Sequence, residues 1–166
     1  MPTPDCKLCD ILLALKTISG NATVNGKAVG LDKVTLGYVD PSKVTSGAPR
    51  VMIWWDGNIA DDIDDYEEHT VRVMLGVLSK SDPSDLTQHE SDLLQATATY
   101  FSIRTAWVKA SRDLAGSGLG TGAGGAGVLH MQPSSGGAEP DGFADHDRAT
   151  FVGQFFDIKF QQALPA

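Results

Sequence analysis

The residues best equipped for chemistry in this sequence are two cysteines three positions apart, Cys6 and Cys9. A Cys-x-x-Cys pair can ligate a metal through its thiolates or cycle between dithiol and disulfide. A closed zinc site needs a second such pair or clustered histidines, and His69, His89, His130 and His146 are scattered singly. A redox pair of this spacing normally follows a strand, and nothing strand-like precedes Cys6. The expectation is therefore structural: Cys9 packs beside a helical stripe, Cys6 is incidental, and both stay reduced.

Other patterns are similarly incomplete. Gly120-x-Gly122-x-x-Gly125 has the spacing of a dinucleotide fingerprint, but that motif must follow a strand and open a helix. Here it follows a helical pattern and precedes a short strand, so a flexible or assembly-ordered loop is expected. Asp56-x-Asn58 resembles the start of a calcium loop, yet Ala60 and Asp61 stand where a ligand and a glycine belong. The acidic run Asp61, Asp62, Asp64, Asp65, Glu67 and Glu68 reads as a solvated loop, with a loose cation site as the sharper alternative. Asp145-His146-Asp147 would orient a histidine, but no nucleophile is marked beside it. Trp54-Trp55 offers a binding platform; adjacent strand residues face opposite ways, which puts one in the core and the other at an interface. Neither a Gly-x-Ser-x-Gly elbow nor a His-Glu-x-x-His helix is present. No residue is assigned a catalytic, cofactor-binding or metal-binding role, and the chain is not expected to be an enzyme.

The elements that would position these groups follow from periodicity. Leu8, Ile11, Leu12, Leu15 and Ile18 make the apolar stripe of a helix over 8–18, capped by Asp5 and stopped by Gly20-Asn21. Residues 20–33 read as a turn-rich connection with at most a weak strand. Three strands are expected next, at 34–38, 50–55 and 71–78. Asp40-Pro41-Ser42 turns after the first, and the acidic run forms a loop between the second and third. A long helix over 83–115 starts at Asp82-Pro83, with Asp85 favouring its dipole, or later through a Thr87–Glu90 capping box. Its inward face is expected to carry Leu94, Ala98, Phe101, Thr105 and Val108, widened by Leu93, Tyr100, Trp107 and Leu114. After the glycine run, 128–132 and 150–162 read as strands too close for a helical crossover, hence antiparallel. The predicted class is α+β: a mostly antiparallel sheet with two helices on one face, in the order α-β-β-β-α-β-β. One domain is expected over 1–166, with a Gly-rich loop at 116–127 and a polar loop at 133–148.

Composition narrows function further. The 166 residues carry a formal charge of -8, with 42% hydrophobic and 20% charged residues, enough to build a core. An acidic chain without clustered Lys and Arg does not bind nucleic acid by neutralising phosphates. No apolar run approaches the ~18 residues of a membrane span, and no secretory leader is expected, so synthesis in a cytoplasm follows.

The layout resembles the tail terminator (tail completion) proteins of long-tailed, lambda-type phages. The resemblance is carried by the opening helix Asp10-Ile-Leu-Leu-Ala-Leu-Lys, by Val51-Met-Ile-Trp-Trp, and by Thr70-Val-Arg-Val-Met-Leu-Gly-Val. It continues through the helix 83–115 and Phe151-Val-Gly-Gln-Phe-Phe-Asp-Ile-Lys-Phe, with 116–127 and 133–148 as additions. It implies a structural virion protein without catalytic residues. Such a protein forms a homo-oligomeric ring, a hexamer in this family, at the head-proximal end of the tail tube. The implied partners are further copies of the chain, the tube protein and a neck or head-closure protein; genomic DNA passes the lumen without specific binding. An acidic lumen would repel phosphates, which makes 56–68 and the glycine loop candidate lumen-facing or ring-to-ring segments. The competing readings are a head-closure or neck adaptor ring, and a non-viral binding module using a sheet edge near Trp54-Trp55. The third is a small enzyme built from His130, His146 and the acidic run.

Overall fold

The structure is a computed structural model, described here for residues 6–40, 49–61, 67–80, 84–134 and 149–162. The expected caps at Asp5 and Asp82-Pro83, the turn at Pro41-Ser42, the acidic residues 62–65, the Asp145-His146-Asp147 loop and most of 133–148 lie outside these residues. The first helix, α1 (Lys7–Asn21), buries Leu8, Ile11 and Leu15 along the expected stripe. Cys6 caps it: the Cys9 backbone N–H donates to Cys6 Sγ at 3.3 Å. The helix runs through Gly20-Asn21 and ends at Ala22, whose N–H bonds to the Ile18 carbonyl.

The connection after α1 is more ordered than its composition suggests. A hairpin of β1 (Thr23–Val24) and β2 (Lys27–Ala28) turns at Asn25-Gly26, both at positive φ, the conformation a tight primed turn requires. A 3-10 turn (Leu31–Lys33) then leads to β3 (Val34–Leu36). The main sheet adds β4 (Arg50–Asp61), β5 (Glu68–Lys80), β6 (Val128–Pro133) and β7 (Ala149–Gln161) in the spatial order β3-β4-β5-β7-β6. The α+β class is present, but the sheet is mixed and the element order differs from the expected one. β3 runs parallel to β4, with Val34 opposite Val51, while the other pairings are antiparallel. Residues 37–49 leave more than a dozen positions between β3 and β4, which is enough chain for a parallel crossover.

The strands are also longer than predicted. β4 and β5 pair as far as Asp61 opposite His69, so the described part of the expected loop at 56–68 belongs mostly to one end of the main sheet. A bulge lies between Trp55 and Ile59, where Gly57 takes a φ of 85°. β7 pairs with β5 from Glu68–Gln161 to Lys80–Ala149.

α1 and α2 (Leu86–Arg112) cover one sheet face. Val51, Ile53, Val73, Leu75, Phe156 and Ile158 meet Ile11, Leu15, Ile103 and Trp107 in one core. Trp107 stacks edge-on against Phe156 and donates from Nε1 to Ser19 Oγ at 2.9 Å, tying the helices to each other and to the sheet. On the opposite face, Met52 and Leu78 are buried with Trp54, Val39 and Phe151 around them. There Gly76 and Gly153 lie opposite each other, and the Phe151 ring occupies the space that a side chain at either position would need.

The inward face of α2 is the main correction. Asp85 caps the helix by accepting from Gln88 N at 3.0 Å, so the Thr87–Glu90 box is not used as the start. The buried positions are Asp92, Ala96, Thr99, Tyr100, Ile103, Trp107 and Ala110. Leu94 and Phe101 are 64% and 55% exposed, and Ala98 and Thr105 are exposed with them. At roughly 3.6 residues per turn, the expected stripe lies diametrically opposite the buried one. Leu93 is exposed as well; Tyr100 and Trp107 of the widening set are buried, and Val108 and Leu114 are half-buried against the core. The helix stops at Arg112, and a separate turn, α3 (Leu114–Ser117), follows.

Candidate functional site

The motifs with chemical potential do not converge. The Cys6–Cys9 pair is used as a helix cap. The Cys9 thiol is pushed above its ordinary value by its hydrogen bond to Cys6, then by burial, so it is a poor thiolate at neutral pH. The glycine run is folded back on itself by its own hydrogen bonds: Ala126 N to Gly118 O, Gly127 N to Gly120 O and Val128 N to Leu119 O. Leu119 is fully buried and anchors it. Gly125 sits against the Gly120 carbonyl with no room for a side chain, so this glycine serves a close backbone approach.

Asp56 Oδ1 accepts from Asn58 N at 3.0 Å, a local turn at the bulge of β4. Asp61 Oδ1 lies 2.6 Å from His69 Nδ1 across the strand pair, and the His69 ring packs on Phe160. Among the described residues no group of three or more His, Cys, Asp or Glu side chains is placed to hold a metal ion. His130 sits on β6 beside Gln132, separated from Asp61 by the widths of β7 and β5, about 14 Å. His146 lies outside the described residues. The material named for a small enzyme is thus not gathered into one pocket among the described residues.

One polar cluster was missed by sequence reasoning. Tyr100 Oη and Arg104 Nε both donate to Gln154 Oε1, at 3.0 and 2.9 Å, while Gln154 Nε2 donates to the Ser134 carbonyl. Burial raises the Tyr100 phenol above its ordinary value, and Arg104 partly opposes that. The Tyr100 hydroxyl, Arg104 Nε and both ends of the Gln154 amide are spent on neighbours, so the cluster positions α2 on β7 and the end of β6. The signal was weak because Gln154 falls in an otherwise apolar face of β7.

Trp54 and Trp55 part as expected: Trp55 packs against the helix-side core and Trp54 against Met52 and Leu78 on the other face, with Tyr38 edge-on to it. Both remain half-buried. Beside them the outer edge of β4 is open. Among the described residues β3 pairs only with Val51, Met52 and Ile53, leaving 54–61 without a strand on that side.

The most prominent uncovered surface is the outward row of α2. Leu94, Ala98, Phe101 and Thr105 recur along one side of the helix. On one flank, α2 and the β1–β2 hairpin enclose a cleft of about 640 Å³ lined by Val29, Lys27, Lys33, Pro49, Leu94 and Ala98 among others. On the other, Phe101, Thr105, Lys109 and Asn21 line a shallower hollow. Neither lining contains a carboxylate. An apolar row bordered by polar and basic groups has the composition of a protein–protein contact rather than of a small-molecule site.

No family model matches the chain, and no curated protein matches it. Function is therefore argued from the surface. Among the described residues no helix is long and apolar enough to cross a membrane.

Proposed function

We propose that this chain is a structural virion protein. It assembles into a ring at the head-proximal end of a long phage tail, ends growth of the tail tube and joins the tail to the neck. The observation that carries the proposal is the second apolar face of α2. Among the described residues Leu94 and Phe101 stay largely exposed, Phe101 meeting the Tyr100 ring edge-on, and burying them against another copy recovers about 25 cal/mol per Å² of apolar area. The sequence resemblance supplies the setting, and the absence of a gathered reactive centre among the described residues is compatible with it. In this reading the tube protein and a head-closure protein are the axial partners. The acidic stretch 56–68 keeps DNA moving or serves contacts between subunits.

The same surface fits a head-closure or neck adaptor ring. A non-viral binding module is favoured by one different observation, the open edge of β4 at 54–61, which suits an added peptide strand. Electron microscopy of growing tail tubes separates these readings. The terminator reading predicts that adding the chain stops elongation and leaves a ring of density on one tube end. Tubes that lengthen unchecked and stay uncapped would contradict it.

A further inference from the structure

We infer that two free copies of this chain pair through the outward row of α2, antiparallel, about a two-fold axis at Phe101. The inference goes beyond the ring reading and does not depend on it. Glu90, Phe101 and Arg112 follow one another at intervals of eleven residues, close to three turns, so they lie on nearly one line of the helix. Leu94 and Thr97 fill the first interval, and Thr105 and Val108 the second. Of these, Glu90, Leu94, Phe101, Thr105 and Arg112 are exposed, and Thr97 and Val108 are half-buried.

Reversed end to end, the row is its own complement. Counted from Phe101, Thr97 and Thr105 lie four residues away on either side, Leu94 and Val108 seven, and Glu90 and Arg112 eleven. A two-fold axis through Phe101 therefore sets Thr97 of one copy against Thr105 of the other, Leu94 against Val108, and Glu90 against Arg112. The two Phe101 rings meet at the centre, flanked by small residues that let the helices approach. An isologous contact requires this kind of self-complementarity. Leu94 and Phe101, 64% and 55% exposed in the single chain, lose most of their contact with water in the pair.

Charge fixes the direction. Among the described residues neither the Glu90 carboxylate nor the Arg112 guanidinium forms an ion pair. Parallel helices would bring Glu90 to Glu90 and Arg112 to Arg112, whereas antiparallel helices give two Glu–Arg pairs and oppose the helix dipoles. Exposed ion pairs are individually weak, so they select the orientation while the apolar centre supplies the attraction. A two-fold contact closes with two copies and cannot propagate. Free copies are thereby held with the row covered, and it becomes available to a ring only as pairs open.

The test measures the full chain without tail tubes by sedimentation equilibrium. It then places a photo-crosslinking residue at Phe101 and mixes isotopically labelled with unlabelled copies. The expected results are a species of twice 17.6 kDa and a crosslink between copies into 97–105 of α2. Glu90→Arg alone, or Arg112→Glu alone, should weaken self-association by about tenfold or more. Mixing the two variants, or joining both substitutions in one chain, should restore most of it. A free chain that is monomeric at every concentration, a crosslink into another surface, or charge variants that do not rescue each other would overturn the inference. If that chain still caps tubes, the ring reading stands without it. A dimer joined at Phe101 that never caps a tube would uphold this contact and remove the ring reading.

Discussion

Trp107 is the side chain on which the helical layer turns. It is fully buried, packs edge-on against Phe156 and donates to Ser19, whose own hydroxyl donates to the Leu15 carbonyl at 2.7 Å. Replacing Ser19 by Ala leaves the indole N–H buried without an acceptor, which costs about 1–3 kcal/mol. Urea unfolding should show that loss as a lower midpoint with an unchanged slope. The Phe151 ring over Gly76 and Gly153 makes a second expectation. Gly76→Ala should destabilise by about 1–3 kcal/mol through overpacking, and pairing it with Phe151→Leu should recover part of the loss. Tyr100 gives a pH signature. Its folded-state pKa is raised by burial, so the unfolded phenol ionises first, at about pH 10. The stability it contributes is present below that pH and is lost as pH rises through the folded value. Thermal melts across about pH 9 to 11 should therefore show a smaller decline for Tyr100→Phe than for the native chain.

At the scale of elements, α2 explains both what could be read from the sequence and what could not. Its existence follows from good helix formers between Asp85 and Arg112, but it carries two rows at helical spacing. The outward one, with Leu94 and Phe101, is the more hydrophobic on paper. The inward one hides Ile103 and Trp107 among Ala96, Thr99 and Asp92, small or polar residues chosen by close approach to the sheet. Periodicity alone cannot rank two such faces, because tertiary packing decides between them. The strands were legible as alternating runs, yet their ends were not: Asp56, Gly57 and Asn58 look like loop residues but form a bulge inside β4. The parallel placement of β3 was hidden because it depends on where the chain goes after Val39, which no local pattern records. Of the groups considered for chemistry, Cys6 had a role its sequence context did not suggest, as a cap. An element-level expectation follows for α2: Leu94→Glu with Phe101→Glu should leave monomer stability within about 0.5 kcal/mol by chemical unfolding, because both side chains are largely exposed. The same pair should abolish association, and a large loss of monomer stability would show that the row is part of the core.

For the whole molecule, the proposed ring would use an acidic chain and the outward face of α2 for closed assembly around a path for DNA. Net charge of -8 disfavours adhesion to phosphates, which in the proposed ring would leave the passage of DNA unhindered. It would also make the proposed assembly depend on specific contacts, since copies of like charge repel one another. The most direct measurement is the mass of the native chain by light scattering, alone and with cognate tail tubes. The account predicts a closed species of about six copies, in solution or on tube ends only, with mass falling to that of a monomer when Leu94 and Phe101 are replaced by Glu. A native chain that remains monomeric at every concentration and ignores the tubes would contradict it.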